Sequence, residues 1–271
     1  MNAALKILTL GVLTFFLWCN NSYAADITIP DGLASGTNWN GSQEDNEVEN
    51  GNLQSQAWDL EAFRLDGNTL TLIGGYNFKD GQADPYYPQY SGRLPVYYSG
   101  DIFLATGGIE PTYGLTALPT TGGNVVKTNQ NKYNYVLDLN LTTMKYDVYA
   151  IDANSTIRTV WFSSNYEGNP WRYESGGTLL KRDLSLGYQT GLSDTGTGLQ
   201  GGSHNALGVD LSFLAPGTEF YAHFTQQCGN DNIIGHGNTP VPEPATMLLL
   251  GTGLIGLARI SRKKLLKKQE D

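Results

Sequence analysis

Apolar and polar positions alternate along the middle of this chain with the two-residue period of pleated strands. Tyr135, Leu137 and Leu139 interleave with Asn134, Val136 and Asp138, which predicts a strand over 133–140. Segments 57–65 and 69–78 are rich in aromatic and branched residues, and Asp66-Gly67-Asn68 between them predicts a hairpin turn. Segments 145–151 and 156–162 flank Asp152-Ala153-Asn154-Ser155 and predict a second hairpin. Segments 205–213 and 218–225 predict a late pair around Ala215-Pro216-Gly217, and 95–105 supplies one more strand. No stretch of the body carries an apolar period of 3.6. The expected fold is all-β, a two-sheet, jelly-roll-like sandwich, with closure into a barrel as the alternative. Segments 32–52, 79–95 and 187–203 read as irregular connections.

The two ends break this pattern. Lys6 precedes an almost wholly apolar run, Ile7 to Trp18, and Ser22-Tyr23-Ala24 follows with small residues where a signal peptidase needs them. Cleavage is expected between Ala24 and Ala25, after export through the Sec translocon. Cys19 also follows an apolar run, but bulky Trp18 precedes it where a lipid-attachment site needs a small side chain. At the other end, Val241-Pro242-Glu243-Pro244 leads into an apolar run from Ala245 to Ala258. Arg259, Arg262, Lys263, Lys264, Lys267 and Lys268 follow it. A helix needs roughly 20 apolar residues to cross a bilayer core of about 30 Å, so this predicts a short transmembrane helix. Its basic tail belongs on the cytoplasmic side and the body outside.

These terminal residues resemble the PEP-CTERM sorting signal, with a residue-for-residue match at Pro242, Glu243 and Pro244. The resemblance implies an exosortase as partner, cutting near Pro-Glu-Pro, in a Gram-negative, exopolysaccharide-producing host. The protein would sit briefly in the inner membrane as a single pass and then at the cell surface or outside the cell. An ordinary, unprocessed membrane anchor is the alternative. Leu118-Pro119-Thr120-Thr121-Gly122 fits the pattern cut by Gram-positive sortases, but it lies far from the C-terminal apolar segment and reads as a turn. Four segments are expected: 1–24 signal peptide, 25–236 β-rich domain, 237–244 linker, and 245–271 apolar segment with basic tail. Within the body, the run 58–63, Gly100-Asp101-Ile102-Phe103, and His223-Phe224-Thr225 with Cys228-Gly229-Asn230-Asp231 resemble blocks of a group of PEP-CTERM surface proteins. That group implies a structural or surface role.

Charge sharpens this picture. Residues 25–239 hold 23 acidic and 10 basic residues, a formal charge of −13, which disfavours nucleic acid and anionic lipid. Cys228 has no partner cysteine once Cys19 leaves with the signal peptide, so burial is expected.

Candidate chemistry is sparse. His204, His223 and His236 are scattered, without the close spacing of metal ligands, and no cofactor is expected. A Cys228–His223 nucleophile pair is conceivable beside the commoner buried structural thiol. Asp59 and Glu61, two apart on a predicted strand, either work as a glycosidase pair or decorate a solvated outer face. Glu44, Asp45, Glu47 and Glu49 concentrate oxygen in one loop, a weak calcium site or a plain acidic loop, with Asp101 and Asp231 behind them. Tyr86, Tyr87 and Tyr90, near Tyr97 and Tyr98, suit stacking on sugar rings or else internal packing, as do Trp161, Trp171 and Tyr173. The expected function is a non-enzymatic protein of the surface or matrix. A carbohydrate-binding module, then a secreted glycosidase, are the alternatives.

Overall fold

A computed structural model describes residues 24–29, 53–111, 123–241 and 252–255. The described body is all-β, as the alternation predicts. One antiparallel sheet has the order β1 (Ala25–Asp26), β2 (Leu60–Asp66), β3 (Thr69–Gly74), β14 (His204–Asp210) and β13 (Gly187–Leu192). The other runs β12 (Thr178–Ser185), β9 (Lys145–Ala150), β8 (Tyr135–Asn140), β6 (Ile102–Thr106), β15 (Glu219–Thr225) and β16 (Asn232–Asn238).

The main core lies between these sheets. Phe63, Leu72 and Leu207 of the first meet Leu104, Leu137, Val148 and Phe224 of the second, all buried. Tyr135, Leu137 and Leu139 face this core while Val136 faces away, as the alternation along β8 predicts. Val136 is nonetheless buried, because a third sheet covers the far side. That sheet has the order β11 (Arg172–Ser175), β10 (Thr156–Arg158) and β7 (Val126–Thr128), and its Ile157 packs with Phe103, Ala105 and Val136. On the opposite outer face, Ala62, Ile73 and Ala206 are covered by Leu199. A small hairpin pairs β4 (Gln82–Ala83) with β5 (Val96–Tyr97).

The turn at Gly67-Asn68 joins β2 to β3 as expected, with Asp66 opposite Thr69 and Gly67 at φ +56°. Other expectations need correction. Segment 57–65 opens with a 3-10 turn, Gln56–Trp58, and only then becomes β2. The turn after Asp152 is tight, yet β9 pairs with β8 and β12 while β10 pairs with β7 and β11, so no hairpin forms. Likewise β14 lies in the five-stranded sheet and β15 in the six-stranded one, so the late segments cross between sheets. Segment 95–105 divides into β5 and β6, because Ser99 to Asp101 turn inward to bond Phe78, Thr225 and Trp171. Segment 187–203 holds β13 and a one-turn helix, α1 (Asp194–Thr197), capped by Ser193 Oγ accepting from the Gly196 N–H. β16 runs to Asn238, two residues into the expected linker, and Thr239 still bonds Thr218.

Residues 27–29 close one side of the sandwich. The Ile27 N–H donates to Phe63 O at 2.9 Å, the Ile29 N–H to Ile234 O at 2.8 Å, and the His236 N–H to Ile27 O at 2.8 Å. The segment is therefore wedged between β2 and β16. Gly235 and Gly237 permit this, since a Cβ on Gly235 would stand 3.0 Å from Phe63 Cβ and one on Gly237 3.2 Å from Ile27.

The C-terminal unit, Pro240–Asp271, is separate, and only Pro240, Val241 and a helical turn at 252–255 are described in it. Among the described residues, no helix is long and apolar enough to cross a membrane.

Candidate functional site

Neither Asp59 nor Glu61 faces solvent. Opposite β3 the register shifts between Leu60 and Ala62, which leaves Glu61 as the extra residue of a β-bulge. The bulge returns Phe63 to the core and turns the Glu61 side chain toward β14 and α1, where it is buried. There the His204 ring lies between two carboxylates, Nδ1 at 2.7 Å from Glu61 Oε2 and Nε2 at 3.0 Å from Asp194 Oδ1. The Gln56 side-chain amide donates to Glu61 Oε1 at 2.7 Å. Burial alone would lower the His204 pKa, but its bonds to Glu61 and Asp194 outweigh that and raise it above the ordinary imidazole value. Asp194 is held low by the His204 hydrogen bond and then by the Gly202 N–H. With both ring nitrogens engaged, the cluster is a closed ion triad that ties α1 to the sheet. Asp59 is buried where the 3-10 turn meets β2, its carbonyl accepting from the Tyr76 N–H. Sequence reading missed the triad because 143 positions separate Glu61 from His204.

Asp101 and Asp231 are likewise structural. Asp101 is fully buried; its Oδ1 accepts from the Leu139 N–H at 2.9 Å and its Oδ2 from the Tyr173 N–H at 2.8 Å. It thus joins the six-stranded sheet to the sheet outside it. Burial pushes its pKa up to about 7, against the pull of the Arg172 guanidinium, 3.7 Å from Oδ1, and the two N–H donors. Asp231 Oδ2 accepts from the Leu60 N–H at 2.6 Å and fixes the start of β2.

Cys228 is buried, as expected, with Sγ 3.7 Å from Gln226 Oε1. It does not pair with His223. That ring is fully buried among Tyr133 and its neighbours, and neither nitrogen has a hydrogen-bond partner among the described residues. Burial pushes its pKa down to about 3. His236 stacks on Tyr221 at 4.2 Å and bonds Glu219 Oε1 at 2.8 Å, so the three histidines are dispersed. Among the described residues no three His, Cys, Asp or Glu converge as metal ligands.

The tyrosine-rich loop differs from all of these. Tyr86, Tyr87, Tyr90 and Tyr98 are 40%, 47%, 54% and 52% exposed, whereas Tyr97 is buried and its hydroxyl accepts from the Leu94 N–H. Beneath the exposed rings, Arg93 Nη1 reaches both oxygens of buried Asp84 at 3.1 and 2.9 Å. The Arg93 guanidinium also lies 4.9 Å from the Tyr86 ring centre and 5.4 Å from that of Phe162. Trp161 Nε1–H donates to Gly92 O at 2.7 Å, tying the loop to the segment after β10. Trp171 is buried, while Tyr173 stacks on Tyr149 at 4.8 Å and is half-buried.

Several expected sites lie outside the described residues: the acidic loop of Glu44, Asp45, Glu47 and Glu49, the 118–122 turn, and Pro242, Glu243, Pro244, Arg259, Arg262, Lys263 and Lys264. Val241 is exposed, as are Ala24 and Ala25, the latter the first residue of β1.

Residues 240–263 match the family model described as the PEP-CTERM protein-sorting motif. No curated protein and no solved structure matches the chain.

Proposed function

We propose that this PEP-CTERM protein, exported and sorted by an exosortase to the cell surface, serves there as a non-catalytic component of the extracellular matrix. The observation that carries the reading is the fate of its reactive groups. Glu61 and His204 are buried in an ion triad, Asp101 between two backbone donors, and Cys228 in the core. A catalytic group must reach a substrate, and these groups lie inside the fold instead. The 3-10 turn, the bulge and α1 all serve that internal bonding. A secreted glycosidase built on Asp59 and Glu61 fits poorly, because both are 2% exposed.

Intact mass of the native protein from membranes, cell surface and medium tests the sorting. The expected product starts at Ala25, ends near Pro242 to Pro244, and occurs outside the inner membrane. A chain that keeps Lys263 through Asp271 overturns exosortase processing and makes the protein a plain inner-membrane anchor. Turnover of any polysaccharide or peptide by the processed protein overturns the non-catalytic role.

A further inference from the structure

We propose that Tyr86, Tyr87, Tyr90 and Tyr98 form a binding platform for a neutral polysaccharide chain, a reading that rests on the surface location for access to such a ligand. These four rings stand within 13 positions of one another. Among the described residues of the body, the other exposed large apolar side chains, such as Ile109 and Leu180, come singly from distant segments.

The platform is held rather than left loose. Tyr86 and Tyr90 pack edge to face with ring centres 6.0 Å apart. Arg93 is clamped by buried Asp84, and its guanidinium fills the space between the Tyr86 and Phe162 rings. The Tyr86 N–H also donates to Asp84 Oδ1 at 2.8 Å, so one carboxylate fixes both ends of the loop. Ordering exposed rings in advance brings no burial of its own, but it lowers the entropy cost when a ligand lands on them.

The chemistry selects the ligand. Sugar rings offer C–H faces for stacking and hydroxyl groups for hydrogen bonds. The platform supplies ring faces and phenol hydroxyls. Arg93 adds donors, since only Nη1 is committed to Asp84. Charge then separates neutral from acidic chains. A body of formal charge −13 repels a uronate or sulfate polymer, and a neutral one meets no such barrier.

The test uses the processed protein recovered from the cell surface. Cellohexaose, laminarihexaose, mannohexaose and chitohexaose are titrated by calorimetry, with hexagalacturonate as the acidic comparison. Saturable binding of at least one neutral hexasaccharide is expected, weakened about tenfold by Tyr86→Ala and by Tyr90→Ala. Tyr87→Ala guards against misfolding, because that ring is 47% exposed and stacks on no other ring among the described residues, and it should weaken binding several-fold at unchanged Tm. Leu180→Ala, on the exposed edge strand β12, should leave binding as it was. No saturable neutral binding, equal or tighter binding of hexagalacturonate, or indifference to all three tyrosine substitutions overturns the platform. Those results concern the platform alone; the non-catalytic reading is decided separately by turnover.

Discussion

Replacing His223 by Leu should stabilise the protein and flatten its response to acid. The imidazole is fully buried with both nitrogens unpartnered among the described residues, and it faces Tyr133 at 5.8 Å between ring centres. An unsatisfied buried polar group costs about 1–3 kcal/mol, and a volume-conserving swap gives back less than about 1.5 kcal/mol through imperfect packing. The expected gain at pH 7 is therefore on the order of 1 kcal/mol, a rise in Tm of about 2–4 °C for a domain of this size. The pH response is sharper. Burial holds the folded-state pKa down to about 3, below the ordinary histidine value of about 6.5, so the unfolded chain takes the proton first. Stability from this group is thus complete above about pH 6.5 and is lost as pH falls, at about 1.4 kcal/mol per pH unit. Between pH 6.5 and 5 the wild type should lose about 2 kcal/mol that His223→Leu does not lose. Urea unfolding of both proteins at pH 7 and pH 5 measures the double difference. Parallel pH dependences, or a variant weaker by more than 1.5 kcal/mol at pH 7, would refute the reasoning.

Two further perturbations probe the joints of the fold. Gly100→Ala places a Cβ 2.4 Å from Trp171 O and 2.6 Å from Thr225 O, where β6 is gripped from both sides. A loss of about 1–3 kcal/mol or more in urea unfolding is expected, and an unchanged midpoint would mean that the backbone yields freely there. Glu61→Gln removes one carboxylate from His204 and should cost about 1–3 kcal/mol. In the wild type the imidazolium contribution is present below the unfolded histidine pKa and fades as pH rises through the raised folded value. The substitution should move that loss to lower pH, which an NMR titration of the His204 ring reads directly.

The strands most legible in the sequence were those with one clear apolar face or a strong turn. Asp66-Gly67-Asn68 marks β2 and β3, and the Tyr135, Leu137, Leu139 stripe marks β8. Partner choice was not legible. Asp152 to Ser155 specifies a tight turn, but only the packing of Ile157 in the third sheet against Val136 decides that β9 and β10 part company. β12 and β13 escaped notice because edge strands face solvent and carry Lys181, Arg182, Gly187 and Gly191 instead of an apolar stripe. The end of β16 reads as linker because its glycines serve close approach of residue 27 and Phe63, a contact between distant parts of the chain. The exposed tyrosines, by contrast, were visible as a loop cluster, and the structure separates Tyr86, Tyr87, Tyr90 and Tyr98 outside from Tyr97 inside. Glu61 reads in the sequence as half of a carboxylate pair or as an outer-face residue, whereas one bulged residue buries it against His204.

The wedge formed by residues 27–29 also sets an order of events during export. On the proposed export route these are among the first body residues to cross, and their partners Ile234 to His236 are among the last. The seam between β2 and β16 consequently stays open until nearly the whole body has crossed, however early the hairpins form. On that route the fold is completed only shortly before the sorting motif, residues 240–263, follows. A chain truncated before β16 would emerge with its oldest strand still unsealed and two neighbouring sheet edges bare.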